Sequence, residues 1–423
     1  MEVPTNSTID VFKRYKLVRN RTESLCDPLK PEDYVVQPVV DVSPPKWHLA
    51  HTTWFFETFL LAKVKPGYKL FQPDYDYLFN SYYENVGDRV LRSDRGNLTR
   101  PAVEEIYAYR KYIDHEIEQL FNRYFDLDEN AVRILEIGLQ HEQQHQELLI
   151  TDIKYILGHN PVFPPYCQRK SDRAGNGQTV ADLLDVRQGI YQIGHHGKEF
   201  CFDNELGLHQ VYLPDFRIMN RLVTNEEYLE FINAGGYRDF NHWLMEGWEW
   251  VKSAKVNTPL YWHYLDGKWF SYTLYGLEPL DLSAPVCHIS FYEADAYARW
   301  RGMRLPTEYE WEIACKVHQP LIPESANFQE AGNFEAGSSE NDNYQFYGDC
   351  WEWTGSSYRP YPYFRNEEGA LGEYNGKFMI NQMVLRGGSC ATPADHIRPT
   401  YRNFFHPHLR WQFTGIRLAQ YVE

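Results

Sequence analysis

The sequence predicts an α+β chain of two domains, a helical bundle followed by a mixed domain of short strands and brief helices. Three observations carry this. At 423 residues the chain is longer than one ordinary core supports. Long stretches with helical periodicity are confined to roughly the first 160 residues. Beyond them the texture changes to short alternating runs separated by turn residues. The expected division is a bundle over 1–160, a linker over 161–179 and the mixed domain over 180–423.

A first amphipathic segment runs from near Asp10 to Leu29. A second starts at Ser43, with Pro44 at the first helical position, where a missing amide proton costs nothing, and continues through "WHLAHTTWFFETFLL". A third follows Thr99-Arg100-Pro101. The fourth spans Asp128 to Gly158 and stops on glycine, with Pro161 beyond. Four such helices make a bundle. "NPVFPPYCQRKSDRAGNGQT", Asn160 to Thr179, is rich in Pro, Gly and Ser and reads as the connection. After it "GIYQIG" and "HQVYLPDFRI" read as strands, and the acidic "SSENDN", Ser338 to Asn343, as a solvated loop. Two helices announce themselves by capping boxes, Ser290 with Glu293 and Thr307 with Glu310.

Composition narrows the function. A formal charge of −16 argues against a sequence-independent hold on nucleic acid or an anionic membrane surface, which need basic patches. Small molecules are the expected ligands. The seven cysteines are scattered singly with no C-x-x-C, the pattern of reduced thiols. The N-terminal residues lack the apolar core of a signal peptide, and no apolar run approaches the ~20 residues of a spanning helix. A cytoplasmic protein is expected.

"GLQHEQQHQELL", Gly138 to Leu149, carries the chemistry. At ~100° per residue His141 and His145 share one helical face with Ile134, Ile137 and Leu148. Imidazoles aimed into a core need partners for their nitrogens, and a bound metal or backbone carbonyls would supply them. His51, flanked by Trp47, Trp54 and Phe55, is the expected third ligand, whereas His48 falls toward the edge of its stripe and is read as structural. The stretch also contains H-E-x-x-H, so a zinc hydrolase is the alternative. A gluzincin needs a further Glu on the same face; here Glu147 is off that face and no other Glu precedes Glu199. Glu142 is then a supporting or surface residue rather than a general base.

With "WHLAHTTWFFETF" and "HEQQHQELL" on separate helices, the first domain resembles the DinB-like bundle of the ergothioneine-biosynthetic sulfoxide synthases, the EgtB family. The second domain adds "DNELGLHQVYLPDFRIMNRLVTNEEYLEFINAGGY", "PVCHISFYEADAYARWRGMRLPTEYEWEIA", "GDCWEWTGSSY" and "VLRGGSC" with "GIRLA". These look like the formylglycine-generating-enzyme (sulfatase-modifying) fold, a C-type-lectin-like domain. Only Cys390 stands beside the R-G-G-S turn, so the paired-thiol copper chemistry of the formylglycine-generating enzyme is not expected.

The resemblance implies an iron-dependent oxidoreductase, a mononuclear non-haem Fe(II) enzyme working at a site between the two domains. It would use O2 to join the sulfur of cysteine, or of γ-glutamylcysteine, to the imidazole of Nα-trimethylhistidine (hercynine) as a sulfoxide. Three neutral imidazoles, His51, His141 and His145, leave positions for both substrates and O2. By the match to "SYYE", Tyr82 and Tyr83 would donate a proton or hydrogen atom during oxygen activation; packing of a loop in a tyrosine-rich chain is the other reading. Arg89 and Arg92 match the family's R-x-x-R against the substrate carboxylate, a role suited to bidentate guanidinium groups. Gln144 matches the glutamine that contacts hercynine, and Asn403 with Phe404 the Asn-Trp pair around the trimethylammonium, where an aromatic face attracts a cation. Phe405 replaces an acidic residue that some members use to hold the γ-glutamylcysteine amine, which favours free cysteine. Three rivals share parts of this pattern: a selenoneine synthase on the same scaffold, an ovothiol-type relative, which usually carries an added methyltransferase domain, and a lectin-like binding module, which leaves the inward histidines unexplained.

Overall fold

A computed structural model describes residues 8–123, 128–169, 180–338, 344–366 and 375–422. These fall into two compact units, one ending at Val162 and one beginning at Phe163.

The first unit is helical: α1 (Thr8–Ser24), α2 (Pro45–Phe55), α3 (Ala62–Val64), α4 (Tyr75–Phe79), α5 (Val103–Arg123) and α6 (Glu129–Gly158). The four long segments expected from periodicity are α1, α2, α5 and α6. Helix α2 begins one residue later than expected: Pro44 is extended at the cap and Pro45 takes the first helical position. It is buried along its whole length, packs on both α5 and α6, and runs through a π-helical turn, Phe56–Leu61, into α3. Helix α6 starts at Asp128, whose carboxylate accepts from the amide of Ala131. Gly138 lets α6 approach the π turn, because a β-carbon there would stand 2.5 Å from the ring of Phe56. Helix α4 is tied to α2 by the indole N–H of Trp54, which donates to Asp76 at 2.7 Å.

The second unit carries short strands, β1 (Leu183–Val186), β2 (Gly189–Ile193), β3 (His209–Leu213), β4 (Phe216–Met219), β5 (Trp262–Leu265), β6 (Lys268–Thr273) and β7 (Gly276–Pro279). They continue with β8 (Trp351–Ser357), β9 (Met383–Arg386), β10 (Asn403–Phe405), β11 (Thr414–Gly415) and β12 (Ala419–Tyr421). The largest sheet has the order β10-β9-β8-β11, in which β11 runs parallel to β8 and the other pairs are antiparallel. A three-stranded sheet, β1-β4-β12, joins the start and end of the unit; β2-β3 is a two-stranded ribbon and β5-β6-β7 a meander. Four helices accompany them, α7 (Asn225–Asn233), α8 (Met245–Ala254), α9 (Phe291–Trp300) and α10 (Glu308–His318). Both expected capping boxes form, at Ser290 and Thr307, and Thr224 with Glu227 makes a third. The core is strongly ionic. Buried Glu308 accepts from Arg402 Nε at 2.8 Å and from Arg386 at 3.1 Å, and Arg386 also donates to Glu312 at 3.0 Å.

Part of the stretch read as connection belongs to this unit: the amides of Tyr166 and Cys167 donate to the carbonyl of Leu274, at 2.8 and 3.2 Å. Residues 170–179 of that stretch, and 339–343 of the acidic loop, lie outside the described residues. No disulfide joins any of the seven cysteines. Among the described residues no helix is long and apolar enough to cross a membrane.

Candidate metal centre

Helix α2 carries His48 and His51 and helix α6 carries His141 and His145, each pair one helical turn apart and therefore on one face. The orphan carbonyl at the end of α4, Phe79 O, accepts from His51 Nδ1–H at 2.6 Å. That contact puts the proton on Nδ1 and leaves the Nε2 lone pair facing His141 Nε2, 3.2 Å away. One ring nitrogen from each of His51, His141 and His145 lies within 4.8 Å of the others. Two nitrogens bound at right angles to a metal at ~2.1 Å stand ~3 Å apart, so the closest pair already has ligand spacing.

The environment keeps these rings neutral, the form that binds a metal. Burial, then the neighbouring His141, holds His51 well below the ordinary imidazole value. Burial with the neighbouring His141 and His51 does the same for His145. His141 is pushed down to about 3, chiefly by burial. Aromatic rings wall the cluster: Trp47 and Trp54 stack on His51 with centroids 4.5 and 5.5 Å away, and Phe55 lies 4.7 Å from His141.

Glu142, the acid of the H-E-x-x-H stretch, points elsewhere. It is fully buried and accepts from Arg19 at 2.9 Å, Arg110 at 3.0 Å and Thr22 at 2.7 Å. Burial would raise its carboxyl, but the two guanidinium groups prevail and hold it at about 2. Its oxygens are committed to the α1–α5–α6 interface, so Glu142 is not placed to serve as the general base of a zinc peptidase.

His48 does not sit at an edge, as the helical wheel suggested; it is 2% exposed and hydrogen-bonded at both nitrogens. Tyr82 and Tyr83 stack with centroids 4.6 Å apart. Tyr83 is buried against Trp54 and Phe59, one ring removed from His51, while Tyr82 is half-buried. Arg89 and Arg92 hold different partners: Arg89 donates to Glu84 at 2.5 Å and Arg92 to the carbonyl of Asp41 at 2.6 Å. Gln144 is half-buried on α6. In the second unit Asn403 and Phe404 lie in β10, where Asn403 Oδ1 accepts from the Phe404 amide at 2.9 Å and the Phe404 ring stacks on Tyr358 at 4.0 Å. Phe405 packs against Trp411.

Arg95 is a residue the sequence reading missed. It is 6% exposed, lies 3.4 Å over the ring of Trp47 and donates to Ser43 Oγ at 2.9 Å. Its place three residues after Arg92 extends the R-x-x-R spacing by one step, a signal that was available.

Comparison with known proteins matches both units. Residues 14–149 match the DinB superfamily, and residues 169–320 and 321–422 match the sulfatase-modifying factor enzyme 1-like domain. A hercynine oxygenase of Mycolicibacterium thermoresistibile is 31% identical over 416 residues, covering 90% of this chain and 88% of that protein. Hercynine oxygenase of Mycolicibacterium smegmatis is 30% identical over 407 residues, covering 89% and 91%. Ergothioneine biosynthesis protein 1 of Schizosaccharomyces pombe is 30% identical over 234 residues, 52% of this chain and 28% of that protein. Similarity that runs through both units and nearly the full length of such relatives makes this chain an oxidoreductase belonging to the hercynine oxygenase family.

Proposed function

We infer that the protein is an Fe(II)- and O2-dependent sulfoxide synthase that couples cysteine to hercynine. The observation that carries this reading is the convergence of His51, His141 and His145 nitrogens within 4.8 Å inside a chain of this family. The overall reaction balances without an outside reductant. The C2–H bond of the hercynine imidazole and the S–H bond of cysteine are broken and a C–S bond forms; one oxygen atom of O2 goes to sulfur and the other leaves as water with the two hydrogens.

Ferrous iron held by the three imidazoles would supply the electrons and binding positions that O2 needs. The protein's part is to hold and shield. Trp47 and Trp54 cover the His51 ring and Phe55 the His141 ring, the burial that favours their neutral form. The Tyr82 and Tyr83 hydroxyls are assigned proton delivery, Tyr83 from the buried side. Arg89 and Arg92 are assigned to the sulfur substrate's carboxylate, which requires each to exchange its present partner for the ligand. Gln144, Asn403 and Phe404 are assigned to hercynine on the family match. Phe405 in place of an acid favours cysteine over γ-glutamylcysteine.

The test is metal analysis joined to turnover. Wild-type protein purified anaerobically is expected to hold one iron per chain and to form the sulfoxide from hercynine, cysteine and O2. His141→Ala and His145→Ala are expected to lose both iron and product. Full activity in iron-free protein, or in protein loaded with zinc alone, overturns the reading.

A further inference from the structure

Both ring nitrogens of His48 are used. Nε2 lies 2.9 Å from Asp152 Oδ2, an oxygen that also accepts from the amide of Ser43 at 2.8 Å. Nδ1 lies 2.9 Å from His145 Nδ1. A carboxylate only accepts, so the proton in the first contact is on His48 Nε2. With His145 Nδ1 turned to His48, the nitrogen of His145 left for a metal is Nε2, and an imidazole bound through Nε2 carries its one proton on Nδ1, which then donates to His48 Nδ1. The remaining lone pair of His145 is at Nε2. A lone imidazole exchanges its proton between the two nitrogens; this one has no such freedom while the chain of contacts holds.

We propose that Asp152 and His48 form a brace that locks His145 as its Nδ1–H tautomer and turns Nε2 toward His51 and His141, making His48 a positioning residue for the metal. This rests on the three-histidine reading of the site. The arrangement parallels His51, whose Nδ1–H is fixed by the Phe79 carbonyl, except that His145 is fixed by side chains and is therefore open to substitution. The brace is tied back to the other ligand helix face. Arg95 donates to Ser43 Oγ while covering Trp47, and Trp47 stacks on His51, so one small network bears on two of the three ligands.

The experiment is metal affinity in the full-length chain, measured with Zn(II) and Co(II) against a competing chelator, with circular dichroism confirming the fold of each variant. His48→Phe keeps a ring but loses the acceptor and is expected to weaken binding about 10- to 100-fold and to change the Co(II) ligand-field spectrum. His48→Gln, whose amide oxygen still accepts, is expected to recover most of that loss. A folded His48→Phe with wild-type affinity and an unchanged Co(II) spectrum overturns the brace. His51→Ala and His141→Ala separate the two ideas, since unchanged affinity there removes the three-histidine site itself. Should His48→Phe fail to fold, the ring-15N shifts of His145 in Zn(II)-loaded wild type decide. A metal-bound Nε2 with a protonated Nδ1 is expected, and bonding through Nδ1 overturns the proposal.

Discussion

Glu142 shows at the scale of one residue why a motif match is not a mechanism. Its carboxylate balances Arg19 and Arg110, all three being fully or almost fully buried, and such groups are stable only together. Glu142→Gln is expected to lower unfolding free energy by about 1.5–3 kcal/mol in urea titration, because two desolvated cations each lose one charge-assisted partner while Arg19 keeps Asp114 and Arg110 keeps Glu23. At the site itself, replacing both Tyr82 and Tyr83 by Phe is expected to slow sulfoxide formation and divert turnover to oxidised cysteine, read by mass spectrometry; an unchanged product ratio removes their assignment. The three candidate ligands were legible because a fixed angle per residue places His141 and His145 on one face of α6 and His51 in the middle of the apolar stripe of α2. The roles of His48 and Arg95 were not. His48 is defined by Asp152, which lies 104 residues away, and by His145, 97 residues away; Arg95 is defined by Trp47. No periodicity encodes such pairings. In the same way Cys287, 63 residues from Cys350 in sequence, comes within hydrogen-bond reach of it in space.

Among the elements, α6 depends on a residue that helix propensity disfavours. Alanine at position 138 would gain ~1 kcal/mol of propensity over glycine, yet its β-carbon would overlap Phe56, with 2.5 Å to one ring atom and 3.1 Å to Phe55. Gly138→Ala is therefore expected to destabilise, by about 1–3 kcal/mol of overpacking less that gain, and Gly138→Val by more. Denaturant midpoints of the two variants check the order. The long helices and two capping boxes could be read in advance because their signals are local. The π turn at Phe56–Leu61 could not. It is sustained by tertiary bonds to Glu57, which accepts from the Tyr68 hydroxyl and the Phe71 amide, each at 2.7 Å, and from the Tyr109 hydroxyl.

For the whole molecule, division into a helical unit and a strand-rich unit followed from a change in sequence texture, whereas sheet order did not. Parallel pairing of β11 with β8 and the return of β12 to β4 join residues far apart in the chain. Since the candidate ligands all belong to the first unit, removing the metal from loaded protein is expected to lower hydrogen-exchange protection in α2 and α6 and to leave β8 and β9 unaffected. Equal loss in both units counts against a metal clamp between those helices. The clamp also has an order in time. His51 and His141 are separated by 90 residues, so a nascent chain leaving the ribosome presents one donor long before the other. The three candidate ligands come together only once α6 has emerged and docked, so a metal is expected to load onto a finished scaffold instead of a growing one.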